Sequence, residues 1–407
     1  MHAARHRGIR VATTAMPCSR LRRLAAALML TTLAVVPAVR GTAGAPQPGE
    51  RWPGCEAQAP SGVPAARLAA LARGFNLTSW LDQSPPRHPD MAALADLRVR
   101  GFTHVRLPVN GELLMEAFSS ADAVAQQFAE LDRAIDSLIA GSFGVSIDMH
   151  PGDRFGGLYR TDPQQAFDLL EPLWRRLARR YADRPADRLF FEVLNEPTAN
   201  RAVWNADGPR LVDAIRQEAP AHTIIYGTAN YQRIDALIDP PVADPNVVYA
   251  VHFYDPMIFT HQGLDWAPTD PLSELEGVPF PAQASDPSIT RLFQTLIMQG
   301  RVGAAALLTT QLRRPWTEER IDGEFAQAQS WAIRHRRAVI VNEFGVLSWK
   351  AAPAARIRWL TAVRRAAERH CIGWTHWEYA DGFGFVHRFD DGHERPDETV
   401  VHALLDE

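Results

Sequence analysis

Eight short apolar runs, separated mainly by segments with helical spacing, constrain the fold of this chain more than any other feature. The runs are Gly74–Thr78, His104–Pro108, Gly144–His150, Leu189–Asn195, Thr223–Gly227, Val247–Tyr254, Ala338–Phe344 and Gly373–Glu378. Helical spacing of apolar and charged residues is seen in Ala123–Ile139, Gln164–Tyr181, Gly208–Glu218, Glu318–Arg336 and Ala354–Arg369. Strands that alternate with helices are typical of βαβ units around a parallel sheet. Eight such units predict a single α/β domain, a (β/α)8 TIM barrel, over residues 74–407.

Two of these runs carry a glutamate at or just after the end of the predicted strand. Residues 190–197 end in Asn195-Glu196-Pro, and residues 338–345 deliver Glu343. The carboxyl ends of barrel strands meet at one face, which is where the chemistry of this fold is found. Two carboxylates there are typical of glycoside hydrolysis, in which one acid protonates the leaving oxygen and a carboxylate about 5 Å away attacks the anomeric carbon. A lone glutamate would more often be solvated or ion-paired.

Other strand ends are polar or aromatic as well, and they come in a definite order along the chain. They are Arg106, Asp148, His150, His252, Tyr254 and Trp377. Each alone has an ordinary structural explanation, such as an ion pair or a core contact. Together with the segments 193–197 and 341–345, however, the set resembles the family 5 glycoside hydrolases, the family that includes the cellulases. The resemblance runs from about Gly74 to about Leu405 and implies a retaining glycosidase.

The resemblance also implies a role for each strand-end residue. Glu196 would be the acid/base and Glu343 the nucleophile. Arg106 and the Tyr254 hydroxyl would stabilise the ionised form of Glu343. Because Glu196 faces that negative charge in a partly closed cleft, its pKa should be raised. The remaining roles would be binding of the sugar 2-hydroxyl by Asn195, positioning by His150 and His252, and stacking on the ring by Trp377.

About eighty residues separate the sixth and seventh runs, although loops beyond about 12–15 residues are usually functional or disordered. We expect an extended loop and helical insertion over residues 255–316. Residues 255–266 should wall one side of the cleft, and residues 288–312 should form either an excursion packed on the barrel or a lid. Aromatic residues after strand ends are candidate sugar platforms, or else packing residues of their loops. They are Trp80, Tyr159, Trp204, Trp266 and Trp349.

Residues 1–45 have the pattern of a secretory signal peptide, and residues 46–73 that of a Pro-rich arm. Arginines precede an apolar run from Leu24 to Val39, and small residues follow it. The run is shorter than the ~20 residues of a spanning helix. We therefore expect cleavage, no stable membrane insertion and a secreted or periplasmic protein, with an uncleaved anchor as the alternative. Arg22-Arg23 leaves twin-arginine export open.

The charge of the chain argues against a nucleic-acid partner. The formal net charge is −4, and residues 1–45 hold seven arginines and no acid, which leaves −11 for the rest. An acidic body without a Lys/Arg stripe lacks the features of phosphate binding. A neutral polysaccharide makes no demand on net charge. We expect a β-linked polysaccharide or oligosaccharide as substrate and a monomeric protein.

The cysteines leave one pair to consider. Cys18 lies in the leader, so Cys55 and Cys371 remain for pairing in an exported protein. They precede the first and eighth strands, which are neighbours in a closed barrel, so the pair forms either a disulfide or two separate thiols. No Cys/His set has zinc spacing, and we expect neither a metal nor another cofactor.

Three classes of function stay open. The leading hypothesis is an endo-β-1,4-glucanase, with a β-mannan, a β-1,3-glucan or an exopolysaccharide as alternative substrates, because the motifs predict a mechanism and not a sugar. A non-catalytic carbohydrate-binding barrel would lack Glu196 or Glu343. A metal-dependent hydrolase of the same fold would use Asp148, His150 and Asp153 as ligands, but the further His/Asp set of such enzymes is missing.

Overall fold

A closed barrel of eight parallel strands is the centre of the structure, a computed structural model that describes Cys55 and residues 61–406. The strands pair in chain order, and β8 pairs back with β1. They are β1 (Arg73–Asn76), β2 (His104–Asn110), β3 (Gly144–His150), β4 (Leu189–Glu192), β5 (Thr223–Gly227), β6 (Val247–His252), β7 (Ala338–Glu343) and β8 (Gly373–His376). The predicted (β/α)8 fold is confirmed. The predicted signal peptide and half of the predicted arm lie outside the described residues.

Helices surround the barrel, and each of the five predicted helical segments lies in one of them or differs from it by a residue at its end. They are α1 (Ala65–Ala70), α2 (Met91–Arg100), α3 (Ala121–Ala140), α4 (Asp153–Thr161), α5 (Pro163–Tyr181), α6 (Arg201–Glu218), α7 (Met257–Thr260), α8 (Pro287–Met298), α9 (Val302–Gln311), α10 (Glu318–His335), α11 (Pro353–Arg369) and α12 (Glu398–Leu405). Two short strands, β9 (Val386–Arg388) and β10 (Glu394–Pro396), form a separate antiparallel pair. None of the described helices is long and apolar enough to cross a membrane.

Local sequence explains where the helices begin. The Ser120 side chain accepts a hydrogen bond from the backbone of α3, and Asp162 does the same at the start of α5. Such side chains satisfy backbone N–H groups that have no partner within the helix. Pro163 occupies the first position of α5, where a missing N–H does no harm. Between β5 and β6 the described chain forms only a short 3-10 turn, Ile234–Ala236.

An apolar layer fills the barrel interior near the amino ends of β4 to β7, and the interior near the carboxyl ends is polar. The apolar layer consists of Phe190, Ile225, Val248, Ala250 and Ile340, with Leu71 packed against it. Since alternate residues of a strand point inward, the residues two positions after Phe190 and Ile340 face the same interior. These are Glu192 and Asn342, both fully buried. The fold thus builds a polar layer directly beneath the face where the candidate glutamates stand.

The disulfide predicted between Cys55 and Cys371 is present, with 5.6 Å between the Cα atoms. Cys371 directly precedes β8, so the bridge lies at the amino ends of the strands, away from the candidate site. The insertion after β6 forms α8 and α9, which pack on each other, and α9 also packs on α7. Ala304, Ala305 and Leu308 of α9 are buried. The insertion is a helical excursion attached to the rest of the fold.

Candidate active site

Glu196 and Glu343 face each other at the carboxyl ends of the strands. Glu343 ends β7, and Glu196 follows the end of β4. One carboxylate oxygen of each glutamate and a ring nitrogen of His252 all lie within 4.8 Å of one another. His252 Nδ1 is 2.9 Å from Glu196 Oε1 and 3.4 Å from Glu343 Oε2. This spacing resembles the ~5–5.5 Å of retaining glycosidases and is shorter than the ~6.5–9.5 Å of inverting ones.

Both oxygens of Glu343 are held by hydrogen-bond donors. Arg106, fully buried on β2, donates from Nη1 to Oε1 at 2.7 Å. The Tyr254 hydroxyl donates to Oε2 at 2.9 Å. A charged donor and a hydroxyl on the two oxygens stabilise the negative charge of the carboxylate and fix its orientation. Glu343 is also nearly buried, at 5% exposure, so water competes little with these donors.

Glu192, which the sequence reasoning missed, is the carboxylate that Arg106 binds most completely. The Nε and Nη2 atoms of Arg106 donate to its two oxygens, each at 2.8 Å, and Asn342 Nδ2 donates to Oε1 at 2.7 Å. Burial raises the pKa of Glu192 to about 7, although the charge of Arg106 opposes that rise. A charged residue inside the apolar run 189–194 was the available signal, since such a residue is almost never buried unless it is paired.

Glu196 has surroundings unlike those of Glu343. Within residues 61–406 no arginine is bonded to its carboxyl group, and its side chain is one-third exposed. Burial is the largest influence and raises the pKa of Glu196 to about 7, while the positive charges of His150 and Arg106 act against it. The direction agrees with the expectation, but the cause is burial and not the charge of Glu343. Glu196 therefore keeps its proton up to about neutral pH.

His252 can form a hydrogen bond with Glu196 whether the Glu196 carboxyl group is protonated or ionised. Burial lowers the pKa of His252 to about 4, so the ring is neutral near pH 7. In a neutral imidazole one nitrogen donates and the other accepts, and the tautomer decides which. Nδ1 can accept from the protonated carboxyl of Glu196 or donate to its carboxylate.

A chain of contacts connects Asp148 to the remaining candidates. His150 Nδ1 lies 2.9 Å from Asp148 Oδ2, and Asn195 Nδ2 lies 3.3 Å from His150 Nε2. Burial alone would lower the pKa of His150, but the hydrogen bond and charge of Asp148 outweigh it and raise that pKa. The Trp377 ring stacks on His150, with centroids 5.9 Å apart and planes 22° apart. The structure thus brings all nine strand-end candidates to one face.

Comparison with known protein families agrees with this geometry. The model of the cellulase family, glycosyl hydrolase family 5, matches residues 64–380. This chain belongs to glycosyl hydrolase family 5.

The individual relatives of this family 5 chain are distant. Endoglucanase 3 of Fibrobacter succinogenes is 28% identical over 345 residues, which are 78% of this chain and 50% of that protein. The chain thus spans about half the length of that relative. The crystal structure of endoglucanase Cel5A from Thermotoga maritima is 26% identical, with a TM-score of 0.65, and covers 83% of this chain and 98% of that one. A structure of the same enzyme with mannotriose is 25% identical, has a TM-score of 0.66 and the same coverage.

Three of the five aromatic residues named as candidate sugar platforms or packing residues are buried in this family 5 barrel, so the packing alternative holds for them. Trp80 donates to Glu130 Oε1 at 2.7 Å, Tyr159 to Asp207 Oδ2 at 3.1 Å and Trp204 to the Gly227 carbonyl at 2.9 Å. Their exposures are 4%, 1% and 0%. A buried indole or phenol with its polar atom satisfied is a packing residue and has no free face for a sugar.

Trp266 and Trp349, by contrast, are exposed at 57% and 45%. Their ring centroids are 6.2 Å apart, and Trp266 is also 6.2 Å from Phe383. Phe383 in turn lies 5.9 Å from Tyr254, the partner of Glu343. We call Trp266, Trp349 and Phe383 the aromatic wall. It extends from the nucleophile candidate to the insertion, as predicted for the first part of that segment.

A cavity of about 420 Å³ lies beside the segment that follows Glu196. It is lined by residues 197–201, which directly follow Glu196, and by residues 229–231 and 235, 236 and 238 after β5. Tyr231 contributes an exposed aromatic ring. Open space therefore borders the segment that follows the acid/base candidate, while the aromatic wall contacts Tyr254, the partner of the nucleophile candidate.

The geometry gives little support to a metal-dependent family 5 barrel. Among the described residues, Glu196, His252 and Glu343 form a group whose ligand atoms are close enough for an ion. A cation there would compete with the guanidinium of Arg106, which already lies 2.7 Å from Glu343. The alternative ligands do not converge, because Asp148 and His150 pair with each other while Asp153 is exposed on α4.

Proposed function

We propose that the protein is a retaining endo-β-glycosidase acting on β-1,4-glucan by double displacement. The observation that carries the proposal is the close pair of Glu196 and Glu343 with different surroundings. Glu343 is bound by Arg106 and Tyr254, whereas Glu196 has a pKa raised to about 7 by burial. Two carboxyl groups that differ in this way can divide the tasks of nucleophile and acid.

In the first step, Glu343 attacks the anomeric carbon of the sugar while the bond to the leaving oxygen breaks. Glu196 gives its proton to that oxygen, so the leaving chain departs as an alcohol. The product is a glycosyl ester of Glu343 and an ionised Glu196. The negative charge of Glu343 is now lost in the ester, so the charge on Glu196 faces less repulsion.

In the second step, Glu196 takes a proton from water as that water attacks the anomeric carbon. The ester bond breaks, and Glu343 returns to a carboxylate held by its two donors. His252 Nδ1, at 2.9 Å from Glu196 Oε1, holds the acid/base carboxyl group in place. Two inversions at the same carbon give a product with the configuration of the substrate.

Asn195, His150 and Trp377 are suited to hold the sugar next to Glu343. Asn195 is fixed by Arg106, whose Nη2 donates to its Oδ1 at 2.8 Å, so its amide nitrogen is directed by that bond. Hydrogen bonds to the sugar 2-hydroxyl strengthen in the transition state and assist catalysis. The half-buried ring of Trp377, supported by His150, offers an apolar face for a pyranose.

The exposed rings of the aromatic wall favour a polymer as substrate, because they offer apolar faces for further sugar rings. The endoglucanase names of the relatives support β-1,4-glucan. β-Mannan is a second candidate, since the structure of Thermotoga maritima Cel5A with mannotriose shows that a family member of similar fold takes that ligand. Sizing the products from β-glucan, β-mannan and β-1,3-glucan identifies the substrate and distinguishes endo from exo cleavage.

Two substitutions test the assignment of roles. Glu343→Gln should nearly abolish turnover on every substrate, because it removes the nucleophile at almost constant volume. Glu196→Ala should spare kcat/KM on aryl glycosides whose leaving groups need little protonation. Glu276→Gln, a change at a surface glutamate paired with Lys350, is the matched control and should behave as wild type. Equal losses for Glu343→Gln and Glu196→Ala on both kinds of substrate would contradict the roles, and an inert wild-type protein would favour a non-catalytic binding barrel.

We also propose that the protein acts outside the cytoplasm as a monomer. The signal-like residues 1–45 support export, and the Cys55–Cys371 disulfide is typical of an oxidising compartment. Cell fractionation should find a shortened chain in the medium or periplasm, and a full-length chain in the cytoplasm would contradict this.

A further inference from the structure

Three consecutive residues with left-handed backbone lie between β5 and β6, beside the candidate acid. Asn230, Tyr231 and Gln232 have φ values of 60°, 57° and 52°. This conformation is unfavourable for residues with a side chain, because Cβ approaches the next carbonyl oxygen. Such strain persists only where the surrounding structure imposes it, and it is concentrated at functional sites. The segment therefore calls for a structural cause.

Gln232 is the residue that this segment turns into the barrel. It is fully buried, whereas Asn230 and Tyr231 are exposed. Its side-chain Oε1 accepts a hydrogen bond of 2.6 Å from the backbone N–H of Glu196. Its own carbonyl accepts a hydrogen bond of 2.7 Å from the backbone N–H of His252. One residue thus holds the backbones of both Glu196 and His252, whose side chains meet at 2.9 Å.

The Gln232 side chain packs closely against Gly227. A Cβ on Gly227 would lie 2.3 Å from both Cδ and Nε2 of Gln232, so only glycine leaves room for the amide. Gln232 Nε2 is buried and has no hydrogen-bond partner among the described residues. A buried amide with an unmet donor is unfavourable. Gln232 thus has two unfavourable features, a strained backbone and an unsatisfied side-chain donor. The hydrogen bond from the Glu196 N–H is the favourable interaction that its side chain makes in return.

Glu196 needs such support because its own backbone is strained, with φ at 40°. Its N–H points at Gln232, and without an acceptor there the peptide could rotate toward a relaxed conformation. That rotation would carry the carboxyl group away from His252 and from the leaving oxygen. General acid catalysis depends on the acid lying within hydrogen-bond reach of that oxygen.

We propose that Gln232 is a positioning residue for the acid/base Glu196. It acts through its hydrogen bond to the Glu196 backbone and keeps the Glu196 carboxyl group within hydrogen-bond distance of His252. This rests on the proposed function, in which Glu196 transfers the proton. Gln232 touches neither the substrate nor the reacting atoms. Its effect should therefore be confined to the proton-transfer task of Glu196 and should not extend to the nucleophile.

The test compares Gln232→Met, which keeps length and volume but lacks the acceptor, with Gln232→Glu, which keeps the acceptor. For Gln232→Met we expect kcat/KM on β-glucan to fall roughly 10- to 100-fold, as for a displaced general acid, with less than about a threefold loss on 2,4-dinitrophenyl cellobioside. Gln232→Glu should stay within about threefold of wild type on both substrates. Gln311→Met is the matched control, because Gln311 also accepts a backbone N–H, that of Ile258, away from the glutamates.

Two further readouts keep the proposal testable. If Gln232→Met does not fold, Gly227→Ala reaches the same amide from its other side and should give the same substrate-selective loss. A crystal structure of the folded variant should show the Glu196 carboxyl displaced from His252 Nδ1, a readout that needs no activity. Equal losses on both substrates, a Gln232→Glu variant as poor as Gln232→Met, or an undisplaced Glu196 would overturn the proposal. A wild type that cleaves no glycoside would refute the proposed function and with it the acid/base role, and a displaced Glu196 in the variant would then support only the structural part of the inference, that Gln232 holds Glu196 in place.

Discussion

Raising the pH through neutrality should switch off the enzyme on its natural substrate by ionising Glu196. Burial raises the pKa of Glu196 to about 7, and only the protonated form can donate to the leaving oxygen. For a single acid with this pKa, the protonated fraction falls from about 91% at pH 6 to about 9% at pH 8, so kcat/KM should fall roughly tenfold. His252 does not contribute to this limb, because burial lowers its pKa to about 4 and it is neutral throughout the interval.

The assay is kcat/KM between pH 5 and pH 9 at constant ionic strength on two substrates. On β-glucan the alkaline limb should lie near pH 7. On 2,4-dinitrophenyl cellobioside that limb should be weak or absent, since its leaving group departs without a proton. Glu196→Ala should lose the limb on β-glucan together with most of its activity. A limb near pH 7 of equal size on both substrates, or one that persists in Glu196→Ala, would refute the reasoning.

Three other predictions concern Glu378, Trp349 and Cys371, which take no part in the proton transfer by Glu196. Burial raises the pKa of Glu378 to about 8 from an ordinary value of 4.5. Between these two pH values the folded state holds a proton that the unfolded chain releases. The free energy of unfolding should therefore fall as the pH rises from 4.5 to 8. In urea denaturation, Glu378→Gln should match wild type at pH 4 and exceed it at pH 9 by a few kcal/mol, at most about 5, and a constant difference would contradict this. Trp349→Ala should raise KM for β-glucan roughly fivefold and leave kcat/KM on the short aryl glycoside unchanged, and equal effects on both would exclude a platform role. Cys371→Ser should lower the free energy of unfolding by up to about 5 kcal/mol, measured in the same way, with activity retained below the unfolding transition.

The barrel could be predicted because its information is local. Each strand is a short apolar run that ends in a turn signal, and the predicted bounds of β3 and β5 agree with the structure residue for residue. The two glutamates could be predicted because strand ends converge on one face whatever the loops do. The insertion could be located by its length, and its helices by their spacing, but not the surfaces against which they pack.

Trp204 shows why local sequence patterns did not distinguish a buried aromatic residue from an exposed one. Trp204 was assigned to a loop because the helix was predicted to begin at Gly208, whereas α6 begins at Arg201 after an Asn200 cap. On that helix Trp204 faces inward and stacks on Tyr226 at 5.4 Å. The Asn200 cap was a signal that could have corrected this.

The partners of Glu192 and Gln232 could not be predicted from the sequence, for a different reason. The partners of Glu192 come from β2 and β7, and Gln232 reaches Glu196 from a loop 36 positions away in the chain. The burial of Glu192 is tolerated because Arg106 and Asn342 satisfy its oxygens, and a residue-by-residue pattern does not contain such pairings. The strained backbone of Gln232 likewise follows from contacts that exist only once the barrel has closed.

The configuration of the first product tests the central claim most directly. Proton NMR should follow wild-type enzyme on a soluble cello-oligosaccharide, before the new reducing end mutarotates. If Glu343 attacks and Glu196 protonates across a gap of less than 4.8 Å, the β anomer should appear first and the α anomer only later. Initial release of the α anomer would mean a single displacement by water and would contradict the assignment of Glu343 as nucleophile.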